Sequence, residues 1–229
     1  TLDRLVTTSM GHQIPYTHRF GGWYLTGFNQ HPDSWANSLG RFDQGKLKRI
    51  KISPDQENLK SYYPHPRSEA IAHAIISHQI GFTNQCIRLG FSHAEGEETM
   101  FDQTLENLIS YTLFQDEAPL PNPLRRDTSF TSEFEASFAD SPPHYNLKKL
   151  NLRTRLFEYR CSYMLKSKIF KTLPAEVREI FFTRLRQVIL DPAVQLKNER
   201  VQLEPDQRKR IHHALSFHFP LYQEMKKAP

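Results

Sequence analysis

The 229 residues are 38% hydrophobic, 24% charged and 12% aromatic, with sixteen Phe and nine Tyr, a composition that supports a packed core and excludes a low-complexity tail. No run approaches the roughly 18 apolar residues that a membrane-spanning helix requires. The net charge of +5 is unevenly spread: residues 1–145 carry 12 basic and 17 acidic side chains, residues 146–229 carry 18 and 8.

The chain opens Thr1-Leu2-Asp3 without a leader pattern and reads as a mature product or part of a longer one. Residues 1–66 are irregular and strand-rich. Trp23-Tyr24-Leu25-Thr26, bracketed by Gly21-Gly22 and Gly27, predicts a short strand, and Leu39 to Ile52 predicts a hairpin turning at Asp43-Gln44-Gly45. From residue 67 the period changes. Ser68-Glu69 opens an amphipathic helix to about Phe91, with Ile71, Ala74, Ile75, Phe82, Cys86 and Leu89 on its apolar stripe. Glu97 to Phe114 predicts a second helix through Met100, Leu105, Leu108 and Tyr111, ended by the prolines after Asp116. A short helix is expected over Ser129 to Phe138. Thr172 is the expected cap of a helix whose stripe is Val177, Ile180, Phe181, Leu185, Val188 and Ile189, and Pro205 starts a last one to about His218. Residues 157–165 fit strand or helix equally. The fold class expected is mainly α, a helical globule with a small β-containing N-terminal region, 1–66 and 67–229 forming one continuous domain.

The chemistry-bearing candidates are histidines. His78 falls on the apolar stripe of its helix and His73 on the opposite, polar face. A buried neutral imidazole needs partners for both ring nitrogens, so His78 reads as a satisfied core residue or as an iron or zinc ligand. His212, His213 and His218 lack the i, i+4 spacing that puts two imidazoles on one helix face. No His-Glu-x-x-His, GxSxG, GxGxxG or GxxxxGK[ST] occurs, which leaves a hydrolase or kinase without a motif. The basic residues of the C-terminal half alternate with apolar ones at helical spacing without a reader motif, so nucleic acid is not the expected partner. Cys86 and Cys161 sit in apolar runs; two buried thiols and one disulfide both fit.

Four strings together resemble a known family. Arg19-Phe20-Gly21-Gly22-Trp23-Tyr24-Leu25-Thr26-Gly27 resembles R-W-G-G-W-Y-V-T-G, and Ala70 to Gln79, with Asn84 beyond it, resembles a helix ending L-E-H-Q with a following Asn. Leu108 to Leu120 resembles L-V-x-Y-L-L-F-x-x-E-A-x-L, and Leu152 to Leu165 resembles D-L-K-T-R-L-F-x-Y-P-C-S-Y-L. The order is kept over roughly residues 10–190 and is similar to a secreted, c-type-cytochrome-like family abundant in planctomycetes.

The resemblance implies a periplasmic or cell-envelope protein with haem c as cofactor. Family members carry one CxxCH before the glycine-tryptophan segment; neither cysteine here is in such a motif, so covalent attachment within these residues is excluded. His78, Gln79, Asn84, Trp23, Arg155 and Cys161 coincide with family positions, and Arg160 stands where the family has proline. His12 lies near a family Gly-Thr-His. The implied cofactor-binding set is His78, His12, Trp23, Gln79, Asn84 and Arg155, with His78 the expected metal ligand and His12 behind it. The function expected is a haem-associated electron-transfer or redox accessory domain, partnered by a redox protein or a larger membrane complex. The alternative is a non-catalytic structural subunit of a larger redox or photosynthetic complex, and a peroxidase is the third option.

Overall fold

A computed structural model describes residues 11–26, 34–52, 68–126, 128–138, 141–196 and 203–224. The architecture is mainly α, with one small antiparallel sheet among the described residues. A hairpin of β1 (Ser38–Asp43) and β2 (Lys46–Lys51) is followed by α1 (Ala70–Glu95), α2 (Glu98–Thr112), α3 (Thr128–Ala136), α4 (Lys168–Lys171), α5 (Ala175–Leu190), α6 (Pro205–His218) and α7 (Pro220–Glu224). Short 3-10 turns cover Gly11–Gln13, Tyr16–His18, Pro143–Tyr145 and Tyr163–Lys166. No helix among the described residues is long and apolar enough to cross a membrane.

Helix α1 starts where the Glu69 carboxylate accepts the Ile71 N–H and stops at Gly96, whose φ of 71° suits the left-handed exit. It therefore runs one turn past the expected Phe91. Its predicted stripe is buried throughout. After a tight turn α2 returns antiparallel along it, as the Ser92–Thr104 hydroxyl contact at one end and the Tyr111–His78 bond at the other require. Met100 and Ile180, expected inside, are 46% and 44% exposed, because α2 and α5 present those positions to solvent; Phe182 takes the inward place on α5. Phe170, Phe181, Phe182, Phe219 and Tyr222 knit α4, α5 and α7 by edge and tilted ring contacts.

Three local expectations are corrected. Residues 23–26 have no regular structure and join no strand among the described residues: the Asn37 side-chain amide pairs with both Leu25 N–H (2.7 Å) and Leu25 C=O (2.8 Å). Thr172 closes α4 instead of capping α5, whose N-cap is Pro174, because its hydroxyl turns back to the Ile169 carbonyl. Residues 157–165 are neither strand nor α-helix: Phe157 makes one antiparallel bridge to Leu150, and a 3-10 turn begins at Tyr163. The hairpin forms as read, through Gln44 (φ 46°) and Gly45 (φ 74°), the two positive-φ positions that a two-residue turn demands. Gly27 lies outside the described residues.

Candidate functional site

The one cluster of mutually bonded histidines in the described interior lies where the N-terminal segment docks on α1 and the end of α2. Gly11, at φ 52°, lets the backbone lie against Ser77 of α1 and the Tyr111 hydroxyl; a side chain there would collide with both. His12 follows and enters the interior. Its carbonyl accepts from Arg19 Nη2 (2.5 Å) and from the Ala118 N–H (3.0 Å), while Arg19 Nε bonds the Ile14 carbonyl (2.6 Å). The buried guanidinium thus ties residues 11–19 into one unit.

His12 Nδ1 lies 2.8 Å from His78 Nδ1, and His78 Nε2 lies 2.8 Å from Ser162 Oγ. Ser162 also accepts the Met164 N–H (3.1 Å), capping the 3-10 turn that follows it. Two tautomeric arrangements satisfy this row. Either Ser162 donates to His78 and His78 to His12, or His12 donates to His78 and His78 to Ser162. In both, His12 Nε2 is buried without a hydrogen-bond partner. Tyr111 Oη donates to the His78 carbonyl (3.1 Å), and its ring lies 3.9 Å from that of His12. Phe114, held at φ 54° where α2 ends, stacks at 4.6 Å on His12 and 4.7 Å on His78. That left-handed backbone is sparsely populated for an aromatic residue, and Arg160 Nη1 fixes it through the Phe114 carbonyl (2.9 Å).

Burial sets the electrostatics. Loss of water pushes His78 down to about 3, with the Arg19 charge adding to the effect, and holds His12 well below the ordinary imidazole range, with help from His78, Arg19 and Arg160. Both rings are neutral at physiological pH. Glu117, nearby, accepts the Leu156 N–H (2.9 Å); burial raises its pKa even against Arg160, Arg19 and Arg155.

The structure brings together only part of the expected set. His78 and His12 meet. Gln79 bonds the Tyr163 hydroxyl (2.9 Å), not His78, and Arg155 is spent on the Phe157 and Glu158 carbonyls (2.9 Å each). Trp23 is 51% exposed and packs on His73, and Asn84 is exposed on the outer side of α1, so neither reaches the pair. His73 is a correction: it is buried, because Trp23 and the Ser68 hydroxyl (2.7 Å) cover the side of α1 read as polar. Cys86 and Cys161 are free buried thiols, each pushed up to about 12 by burial.

Tyr111, Ser162, Phe114, Arg19 and Arg160 were not singled out as site residues. Gly81, a glycine inside the apolar stripe of α1, is the one local signal of the close approach that admits Tyr111. His212 bonds Tyr222, and His218 bonds the Tyr145 carbonyl; no group of three His, Cys, Asp or Glu among the described residues is placed to hold a metal ion. Clefts of about 600 and 430 Å³ lie between α2 and α5 and between α5 and α6, away from the pair. No protein-family model, curated protein or solved structure matches the chain.

Proposed function

We propose that the chain is a haem-associated redox accessory domain of the cell envelope, in which His12, backed by His78 and Ser162, offers one imidazole nitrogen to the iron of a c-type haem. The four family-like strings support the cofactor class. The observation that carries the residue assignment is the unpartnered His12 Nε2. His78 has both nitrogens engaged and does not fit a ligand. Of the two arrangements, the one in which His12 Nδ1–H donates to His78 puts the His12 lone pair on the bare Nε2, as in a metal-bound histidine held by an orienting group.

Burial keeps the His12 ring neutral, so its lone pair survives at acidic pH. Phe114 and Tyr111 fix the ring plane and exclude water. A c-type haem, when bound, supplies one-electron chemistry whose potential its axial ligand and burial tune. In this reading the attachment cysteines lie outside these 229 residues, since Cys86 and Cys161 are buried in the core and neither is in a CxxCH.

The test is the visible spectrum of the natively isolated protein. A Soret band is expected. His12→Gly should lose the imidazole-ligated signature and regain it with added imidazole, whereas His78→Gln should shift it only slightly. A colourless protein, or a His12→Gly spectrum identical to wild type, overturns the proposal.

A further inference from the structure

The β1–β2 hairpin stands off the helical body. All of its residues except Ser38 and Asp43 are exposed, and its side chains are unusual for a free ribbon. Phe42 and Leu47 face each other across the strands one pair back from the turn, behind Asp43 and Lys46, at 76% and 62% exposure. Leu39 and Ile50 form a second opposed pair at 56% and 40%. Within the same fourteen residues stand Arg41, Lys46, Lys48, Arg49 and Lys51 against Asp43 alone, a +4 island in the half of the chain whose total is −5. The only two tryptophans, Trp23 and Trp35, lie at the base of the ribbon and are 51% and 45% exposed, with the Arg49 guanidinium 5.3 Å from the Trp35 ring centre.

We propose that this hairpin docks the protein on an anionic membrane surface, Phe42 and Leu47 entering the boundary of the acyl chains and the surrounding cations meeting the headgroup phosphates. The register favours a lipid surface over a protein groove. Arg41, Lys46 and Lys48 project from one face of the ribbon and Arg49 from the other, so cations flank the Phe42–Leu47 pair on both faces. A groove would meet one face, whereas a headgroup layer surrounds an inserted tip. Exposed apolar area with cations on either side of it supplies the two contributions that hold peripheral proteins on anionic bilayers. Lys51, bonded to the Ala36 carbonyl (2.7 Å) and to that of Ser34, anchors the ribbon to the body. The inference is independent of the haem assignment.

Co-sedimentation of the full chain with vesicles of phosphatidylcholine alone, and of equal parts phosphatidylcholine and phosphatidylglycerol, tests it. Binding is expected only to the anionic vesicles, with release at high salt. Because both side chains are exposed, Phe42→Ser with Leu47→Ser keeps the charge and should leave the far-ultraviolet circular dichroism and the melting curve intact while binding falls on the order of tenfold or more. Arg41→Gln or Lys46→Gln should each weaken it about fivefold. No binding to anionic vesicles, or a double variant that binds like wild type, overturns the proposal, as does an anionic polymer such as RNA being bound while vesicles are not.

Discussion

The hydroxyl of Tyr111 lies directly over the Cα of Gly81, in the space a side chain would occupy. That contact lets α2 approach α1 closely enough for Tyr111 to reach the His78 carbonyl, and so sets the floor on which the histidine pair rests. Gly81→Ala must displace a buried phenol ring and should destabilise the fold by about 1–3 kcal/mol. Gly90 in the same helix is the control. Its added Cβ would meet only Leu173 Cδ2, at an ordinary 3.6 Å, and Gly90→Ala should gain about 0.5–1 kcal/mol from helix propensity. Urea titrations of both variants decide; equal midpoints would show that Gly81 serves no packing purpose.

The buried histidines make stability depend on acid in a stated direction. His78 takes up its proton near pH 3 when folded and near 6.5 when unfolded, so the unfolded chain binds more protons between those values. Its contribution is complete above pH 6.5 and is lost as pH falls toward 3, and His12 acts in the same sense. His78 alone should give a slope of roughly 1 kcal/mol per pH unit between about pH 6 and 4, and His12 steepens it in the same direction. Glu117 works oppositely: its folded pKa lies above the ordinary 4.5, so its contribution fades as pH rises through the raised value. Denaturant midpoints across this range should fall with acidity in wild type and fall less steeply in His78→Gln. A flat wild-type profile would contradict neutral burial of the pair.

Asn37 combines two roles that a local pattern does not reveal. At φ 53° it occupies the left-handed region that Asn tolerates, and its amide completes the backbone bonds of fully buried Leu25. Asn37→Gly keeps the backbone conformation and removes the amide. It should cost about 1–3 kcal/mol, the penalty of a buried polar group left unpaired, and raise amide exchange at Leu25 selectively. Uniform exchange across the chain in that variant would place the loss elsewhere.

Helices α1, α2, α5 and α6 were legible because a long stripe of apolar residues at three- and four-residue steps has few other ways to be buried. His78 was legible for the same reason, since it sits on that stripe. Its partners were not: Ser162 lies 84 residues away and His12 lies 66 away, and a hydrogen bond across such distances leaves no period in either segment. His73 shows the complementary failure. The side of α1 that carries it is polar by periodicity, yet Trp23 from the N-terminal segment lies over it, so burial was decided by a neighbour rather than by the helix. Residues 23–26 failed as a strand for a related reason. Their β-forming side chains were real, but their partners are scattered, the Asn37 side chain for Leu25 and the backbone of Asn37 and Ser68 for Trp23 and Thr26.

The basic C-terminal half also holds an arginine that is not surface charge. Arg208, 8% exposed, directs Nε to the Leu203 carbonyl (3.0 Å) and Nη1 to the carbonyls of Val188 and Ile189, in the last turn of α5. Carbonyls at a helix C-terminus have no partner within the helix, and a cation placed on them satisfies both their lone pairs and the helix dipole. Arg208→Met keeps much of the side-chain volume and removes these bonds, so it should cost about 2–3 kcal/mol. Arg208→Lys keeps the charge but not the fork of donors, and it should recover only part of that. Thermal or urea unfolding of the two variants gives the order wild type, then Lys, then Met. If Met proved as stable as wild type, α5 would be capped without Arg208, and the buried guanidinium would have no structural role between α5 and α6.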